Sequence, residues 1–384
     1  LFCETLFELP LNEKSSFGAL THQEVVHKLN EDVIDHSVGL GLRSNMFSVG
    51  QFGNLLKLKI KVSEEKASNA IEWLKNVLNS SVFTAERLII AATKLLNALP
   101  STCREGSTIA ITTLKRNLYD NKELSKSNHV ASHVAAQKHH LERVLKRLGA
   151  DVLRQSGQTT DEDFSDIDDT PEENEENNDD DDDDNDDDDD DVVVDRAGVV
   201  RECQALLEKL SQSDIFLDVI CDVTKSGSSM LNSLSTFPNF NKQKSDFVNI
   251  PLMNRFLRDL NGPSQTTIVA MSSIESSFLL QAVASPTLLQ DVDTAPLLVI
   301  ANYFTVMEGP FWKEIRGLGL SYGYHIGVSH EQGVVTFGLF KSTSIVDALR
   351  VAKAIIDEFA AGTRVFDALS LESAISTTIY SILS

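Results

Sequence analysis

Cysteine is scarce and scattered. The 384 residues hold four, Cys3, Cys103, Cys203 and Cys221, and no two form a Cys-x-x-Cys pair. That argues against a disulfide-stapled scaffold and for structural, partly buried thiols in a reducing compartment. No run approaches the ~20 apolar residues that cross a bilayer, and no charged-then-apolar leader opens the chain. The sequence begins at Leu1 without an initiator Met and reads as a soluble part of something longer. Basic residues are outnumbered, with 34 Lys and Arg against 57 Asp and Glu. A nucleic-acid partner would need a basic face, so neither nucleic acid nor membrane is expected as a partner. The expected location is cytoplasmic, with the mitochondrion as the alternative.

The familiar chemical signatures are missing too. There is no Gly-x-Gly-x-x-Gly after a strand, no Walker loop and no Gly-x-Ser-x-Gly. Ser226-Gly227-Ser228-Ser229 is a polar loop with nothing to make a nucleophile of it. Neither His-x-x-Glu-His nor His-Glu-x-x-His occurs. The nearest approach is His139-His140-Leu141-Glu142-Arg143, where a cation stands in place of the second histidine. His129 and His133 share a face of a basic, solvated helix, and His22 and His27 diverge on another. His325 and His330 flank a turn. No catalytic group and no metal ligand set is expected within this chain.

What is abundant is aspartate. Residues 161–191 hold 17 Asp and 5 Glu with no Lys or Arg, which accounts for nearly all of the net charge of −23. A tract so poor in apolar residues cannot offset the entropy of ordering, so 159–192 is expected as a disordered insertion between helices. It has the charge to bind Ca²⁺ weakly or to steer basic peptides; the simpler reading is a solvated insertion.

The rest, 42% hydrophobic overall, is long enough for two domains. The expected fold class is α+β, with one unit over 1–250 and a second over 251–384. Residues 1–11 suit a strand. A helix is expected over 21–36, with Thr21 and Glu24 forming a capping box. Leu56-Lys57-Leu58-Lys59-Ile60-Lys61-Val62 alternates as a half-buried strand. Helices are expected over 63–78, 85–99, 109–119, 128–148 and 196–210, with a strand at 215–223 and a connection at 236–251. In the second unit the pattern predicts a broken strand over 266–284 and a helix over 296–315. A hairpin of 322–328 and 333–340 turns around His330-Glu331-Gln332-Gly333. Helices over 345–360 and 371–383 close the chain.

The most informative run is Gly309-Pro310-Phe311-Trp312-Lys313-Glu314-Ile315-Arg316-Gly317-Leu318-Gly319-Leu320-Ser321-Tyr322-Gly323-Tyr324. It reads as a helix end presenting Arg316, a glycine elbow at Gly317, Gly319 and Gly323, and a strand opening with Tyr322. Both side chains can face one cleft. Strand alternation puts Tyr324 on the same face as Tyr322, so Tyr324 is the alternative tyrosine. Read without further context, an Arg in a last helical turn complements the helix dipole, and a Tyr opening a strand is half-buried packing.

The run resembles the second-half signature of pitrilysin/insulysin-type (inverzincin) zinc metallopeptidases, and most closely the presequence-protease branch. Weaker likenesses run through Phe7-Glu8-Leu9-Pro10-Leu11, Glu24-Val25-Val26, Leu29-Asn30-Glu31-Asp32, Leu58-Lys59-Ile60-Lys61-Val62, Trp73-Leu74, Arg87 to Lys94-Leu95-Leu96, and Ser276-Ser277-Phe278. The resemblance implies two consecutive α/β-roll domains of the mitochondrial-processing-peptidase-like type. They would be the third and fourth domains of a clamshell whose zinc motif lies in the other half. It implies that Arg316 and Tyr322 grip the peptide backbone and support the transition state. Gly317, Gly319 and Gly323 would allow close backbone approach. Zinc would belong to the intact enzyme and not to this chain. The partners implied are an amino-terminal catalytic half, on the same polypeptide or another, and unfolded peptide substrates. Alone, the chain is expected to be inactive. Competing readings are a non-catalytic structural or interaction protein of the same fold, and an acidic binding module for basic clients.

Overall fold

The computed structural model describes residues 1–42, 50–119, 134–150, 193–222, 234, 260, 265–288 and 290–383. They form an α+β protein in which helices pack on a two-stranded and a three-stranded antiparallel sheet. The acidic insertion, the 226–229 loop, the 236–251 connection, His129 and His133 lie outside the described residues.

The opening segment, expected as a strand, is helical. Helix α1 spans Phe2–Thr5 and a 3-10 turn covers Leu6–Glu8. Leu6, Phe7 and Leu9 are all buried, and an unbroken apolar run does not by itself distinguish a strand from a buried helix. Helix α2, His22–Asp32, starts at the expected capping box: Thr21 accepts from the Glu24 N–H, and the Glu24 carboxylate accepts from the Thr21 N–H. It ends before the expected position. Val33 turns extended, and Asp35–Leu42 forms strand β1, antiparallel to β2, Gln51–Lys61. Along β2, Lys57, Lys59 and Lys61 are exposed while Leu58 and Ile60 pack inward, following the alternation.

Helices α3 (Ala67–Asn79), α4 (Ala85–Cys103), α5 (Gly106–Leu118), α6 (Val134–Arg147) and α7 (Arg196–Ser211) complete the first unit. Helix α4 runs through Pro100 instead of stopping at it, and buries Leu99 and Cys103 in one cluster with Leu141 and Leu145 of α6. A larger cluster centres on Trp73, with Val25, Leu29, Leu88, Val199 and Leu207 around it. Into its edge projects Asp32, which is 7% exposed. Its carboxylate accepts from Trp73 Nε1 and Asn69 Nδ2, both at 3.1 Å, and pairs with Lys28 at 3.3 Å and Lys66 at 3.4 Å. Glu8 and Arg87 meet at 2.6 Å. The strand expected at 215–223 is absent: 214–222 has no regular structure, and Phe216 and Ile220 are exposed. Its apolar run finds no strand to pair with among the described residues.

The second sheet has the order β3–β5–β4, from β3 (Ser277–Ala284), β4 (Ser321–Ser329) and β5 (Val334–Ser342). The strand expected from 266 begins only at Ser277. Leu339 pairs with both Leu279 and Tyr324 and is fully buried beneath three helices. These are α8 (Thr294–Thr305), α9 (Ile345–Ala360) and α10 (Ala368–Leu383). In α9, Ala348, Ala352, Ile355 and Phe359 point inward while Ile356 is exposed. Helix α5 of the first unit packs along β3. A Cβ on Gly106 would stand 2.3 Å from the Phe278 ring, and Leu118 and Tyr119 pack with Val334. At the β4–β5 turn, Glu331 Oε1 accepts from the Phe52 N–H at 3.3 Å.

Candidate functional site

The helix expected over 296–315 is divided. Helix α8 stops at Thr305, Val306 turns extended, and Glu308 takes a left-handed φ of 63° ahead of Gly309-Pro310. Proline removes a donor and disfavours helical backbone in the residue before it, which accounts for the break. The Phe304 and Phe311 rings stack across the break at 5.3 Å and 16°, so the two pieces share one core. The chain then makes a single π-helical turn, Trp312–Arg316, closed by the Gly317 N–H donating to Trp312 O at 2.8 Å. Such turns shift the side-chain phase of a helix and recur at functional sites. Here Ile315 is fully buried, which leaves Arg316 facing out.

The elbow that follows is tied to the end of β5. The Leu320 carbonyl receives Ser342 Oγ at 2.6 Å and the Thr343 N–H at 3.1 Å, and the Gly319 carbonyl receives Thr343 Oγ1 at 2.7 Å. Gly319 has φ 69°, the left-handed region that glycine alone enters cheaply. Gly317 is constrained differently: a Cβ there would lie 2.4 Å from the Lys313 carbonyl oxygen. Gly323 sits inside β4, with a Cβ position in ordinary contact with Phe340. Gly317→Ala should therefore cost about 1–3 kcal/mol of stability, more than the roughly 1 kcal/mol expected for Gly319→Ala. Chemical denaturation of both variants checks this; equal stability to the parent would mean the elbow is looser than its contacts indicate.

The elbow brings the two expected residues together. The Arg316 guanidinium carbon lies 4.6 Å from the centre of the Tyr322 ring, a cation–π contact on an exposed face. Tyr322 is 65% exposed. Tyr324 shares its face of the strand but packs edge-on against Phe311 at 5.8 Å. Burial raises the Tyr324 phenol above its ordinary range, and the charge of Arg316 partly opposes that rise. The two tyrosines thus differ in environment: Tyr322 is exposed with a cation on its ring, and Tyr324 is half-buried against the core. Glu314 pairs with Arg364 at 2.6 Å and leaves Arg316 without a carboxylate partner among the described residues.

One residue on the neighbouring strand carries no signal in the sequence. Lys341 has φ 52° and stands across the strand pair from Tyr322, between the registered pairs Ser321–Ser342 and Gly323–Phe340. Its position inside a regular strand pattern gave no signal. Histidines 139 and 140 are exposed on α6 and Leu141 is buried, so the near-motif presents Arg143 and not a second imidazole. The residues present there do not fit a zinc ion. Among the described residues, no group of three or more His, Cys, Asp or Glu is placed to hold a metal. No helix of the described residues is long and apolar enough to cross a membrane.

No family model matches the sequence. The chain is 25% identical to Uncharacterized protein YOL098C of Saccharomyces cerevisiae over 98% of its own length and 33% of that protein. It is 24% identical to Uncharacterized protein C3H1.02c of Schizosaccharomyces pombe, over 94% of this chain and 31% of the relative. Uncharacterized protein C05D11.1 of Caenorhabditis elegans is 21% identical over the whole chain and 33% of its own length. The chain thus spans about a third of the length of the curated relatives it matches. Among solved structures, a conserved protein from Enterococcus faecalis V583 superposes with a TM-score of 0.56 at 15% identity, covering all of this chain and 75% of the other. At that identity the likeness is one of fold.

Proposed function

We propose that this chain is the substrate-gripping, zinc-free half of a pitrilysin/insulysin-type metalloendopeptidase that degrades short unstructured peptides in an enclosed chamber. Its two units would be consecutive α/β rolls, the second carrying the Arg316–Tyr322 element. The observation that supports this best is the exposed guanidinium stacked on Tyr322, on an elbow held by the end of β5. A guanidinium fork aligns the carbonyls of an extended peptide. A tyrosine hydroxyl donates to the oxygen on which charge develops when a peptide carbonyl is attacked. Stacking fixes both groups before substrate arrives, so less ordering is needed on binding. Zinc and a general base, held outside this chain, would supply the activated water.

The test uses the natural polypeptide that contains this chain. It should cleave short unstructured peptides, lose that activity to a zinc chelator, and leave folded proteins intact. The chain alone should cleave neither. Cleavage of folded proteins, or chelator-resistant cleavage, would overturn the reading.

A further inference from the structure

The site has a second cation. Lys341 is exposed and lies across the β4–β5 pair from Tyr322. It adopts a left-handed backbone, which non-glycine residues keep only where the surroundings over-determine it. Those surroundings are visible on both sides: Ser321 Oγ donates to Phe340 O at 3.1 Å, and Ser342 Oγ donates to Leu320 O at 2.6 Å. Several carboxylates of this unit are engaged elsewhere. Glu314 and Glu358 pair with Arg364, and Asp347 pairs with Arg350. Asp367 accepts from the Ser370 N–H at 2.8 Å. Neither Arg316 nor Lys341 has an ion-pair partner among the described residues. Arg316 thus lies on the Tyr322 ring and Lys341 stands opposite on the neighbouring strand, with no anion paired to either among the described residues.

We infer that Lys341 is a specificity-determining residue that receives a carboxylate of the bound peptide, while Arg316 and Tyr322 hold its backbone. The inference rests on the peptide-gripping reading above. The carboxylate has two possible sources, the peptide's own C-terminus or an Asp or Glu side chain, and both present the same chemistry to an ammonium. An exposed, unpaired charge near the end of the central strand discriminates among peptides more than it adds affinity, because it is paired only when the ligand supplies the anion.

Binding of labelled, unstructured peptides to the natural polypeptide, measured by fluorescence anisotropy in EDTA so that turnover is suppressed, tests this. One matched pair differs only in a C-terminal carboxylate or amide, and a second only in an internal Glu or Gln. In the parent, the acid member of at least one pair should bind about tenfold tighter, and the pair showing it identifies the source of the carboxylate. Lys341→Gln should abolish that preference and Lys341→Arg should keep it. Lys341→Gly, which removes the left-handed constraint, should lose the preference as Lys341→Gln does. Equal binding of acid and neutral peptides by the parent, or a preference that survives Lys341→Gln and Lys341→Gly, overturns the inference. Arg316→Ala separates the two levels. If it weakens every peptide while the Lys341 variants keep the preference, only the role of Lys341 falls. If it changes none, the gripping site itself falls.

Discussion

Replacing Arg316 with alanine in the natural polypeptide should lower kcat/KM on a short unstructured peptide by about a hundredfold. The guanidinium is exposed and makes no ion pair among the described residues, so its removal leaves no buried partner stranded. Stability should change by no more than about 0.5 kcal/mol, the usual range for such surface sites. Arg316→Lys keeps the charge but loses the fork and the flat face on the ring, and should recover only part of the activity. Tyr322→Phe keeps the ring beneath Arg316 and removes only the hydroxyl. If that hydroxyl supports the developing oxyanion, kcat should fall by about a hundredfold with KM little changed. Tyr324→Phe should leave turnover nearly intact, because the half-buried Tyr324 ring is held edge-on against Phe311. Steady-state kinetics of the four variants decide it, and full activity in Arg316→Ala would contradict the assignment.

Asp32→Ala should destabilise the first unit by about 1–3 kcal/mol. The substitution strands the Trp73 indole N–H, on a ring with no solvent exposure, and takes the carboxylate from the partly exposed Lys28 and Lys66. The effect has a pH signature. Burial is the largest single influence on the Asp32 carboxyl and raises its pKa, but hydrogen bonds from Trp73, Asn69 and Lys28 together outweigh it, so the net shift is downward. A group with a folded-state pKa below its unfolded value of about 3.9 contributes stability above that pH and loses it as pH falls through the folded value. The parent should therefore lose more stability on acidification below about pH 4 than Asp32→Asn does. Urea midpoints across that range measure the difference, and parallel curves would mean that Asp32 is not the buried anion the contacts describe.

These two sites mark what the sequence made legible and what it did not. Arg316 and Tyr322 were readable because a glycine elbow between a helix end and a strand leaves few geometries. The structure sets them 4.6 Å apart. The capping box at Thr21, the alternation of β2 and the turn at His330-Glu331-Gln332-Gly333 were readable for the same reason: each is fixed by neighbours in sequence. Asp32 ends a helical pattern and Trp73 lies within another, yet their hydrogen bond spans 41 residues and no local pattern announces it. Glu8 and Arg87, 79 residues apart, are the same case. Strand β1 was hidden because Val33 and Ile34 continue the helical spacing of α2 while the backbone has already turned extended. Lys341 was hidden because a left-handed residue inside a strand has no signature in composition.

The most direct test of the account is the zinc content of the natural polypeptide that carries this chain, measured beside that of residues 1–384 alone. One tightly held zinc is expected on the natural polypeptide or on a partner chain purified with it, removed by chelator together with peptidase activity, and none on residues 1–384 alone. No zinc on the natural polypeptide or on any partner chain purified with it, or a stoichiometric zinc held by residues 1–384 themselves, would contradict it.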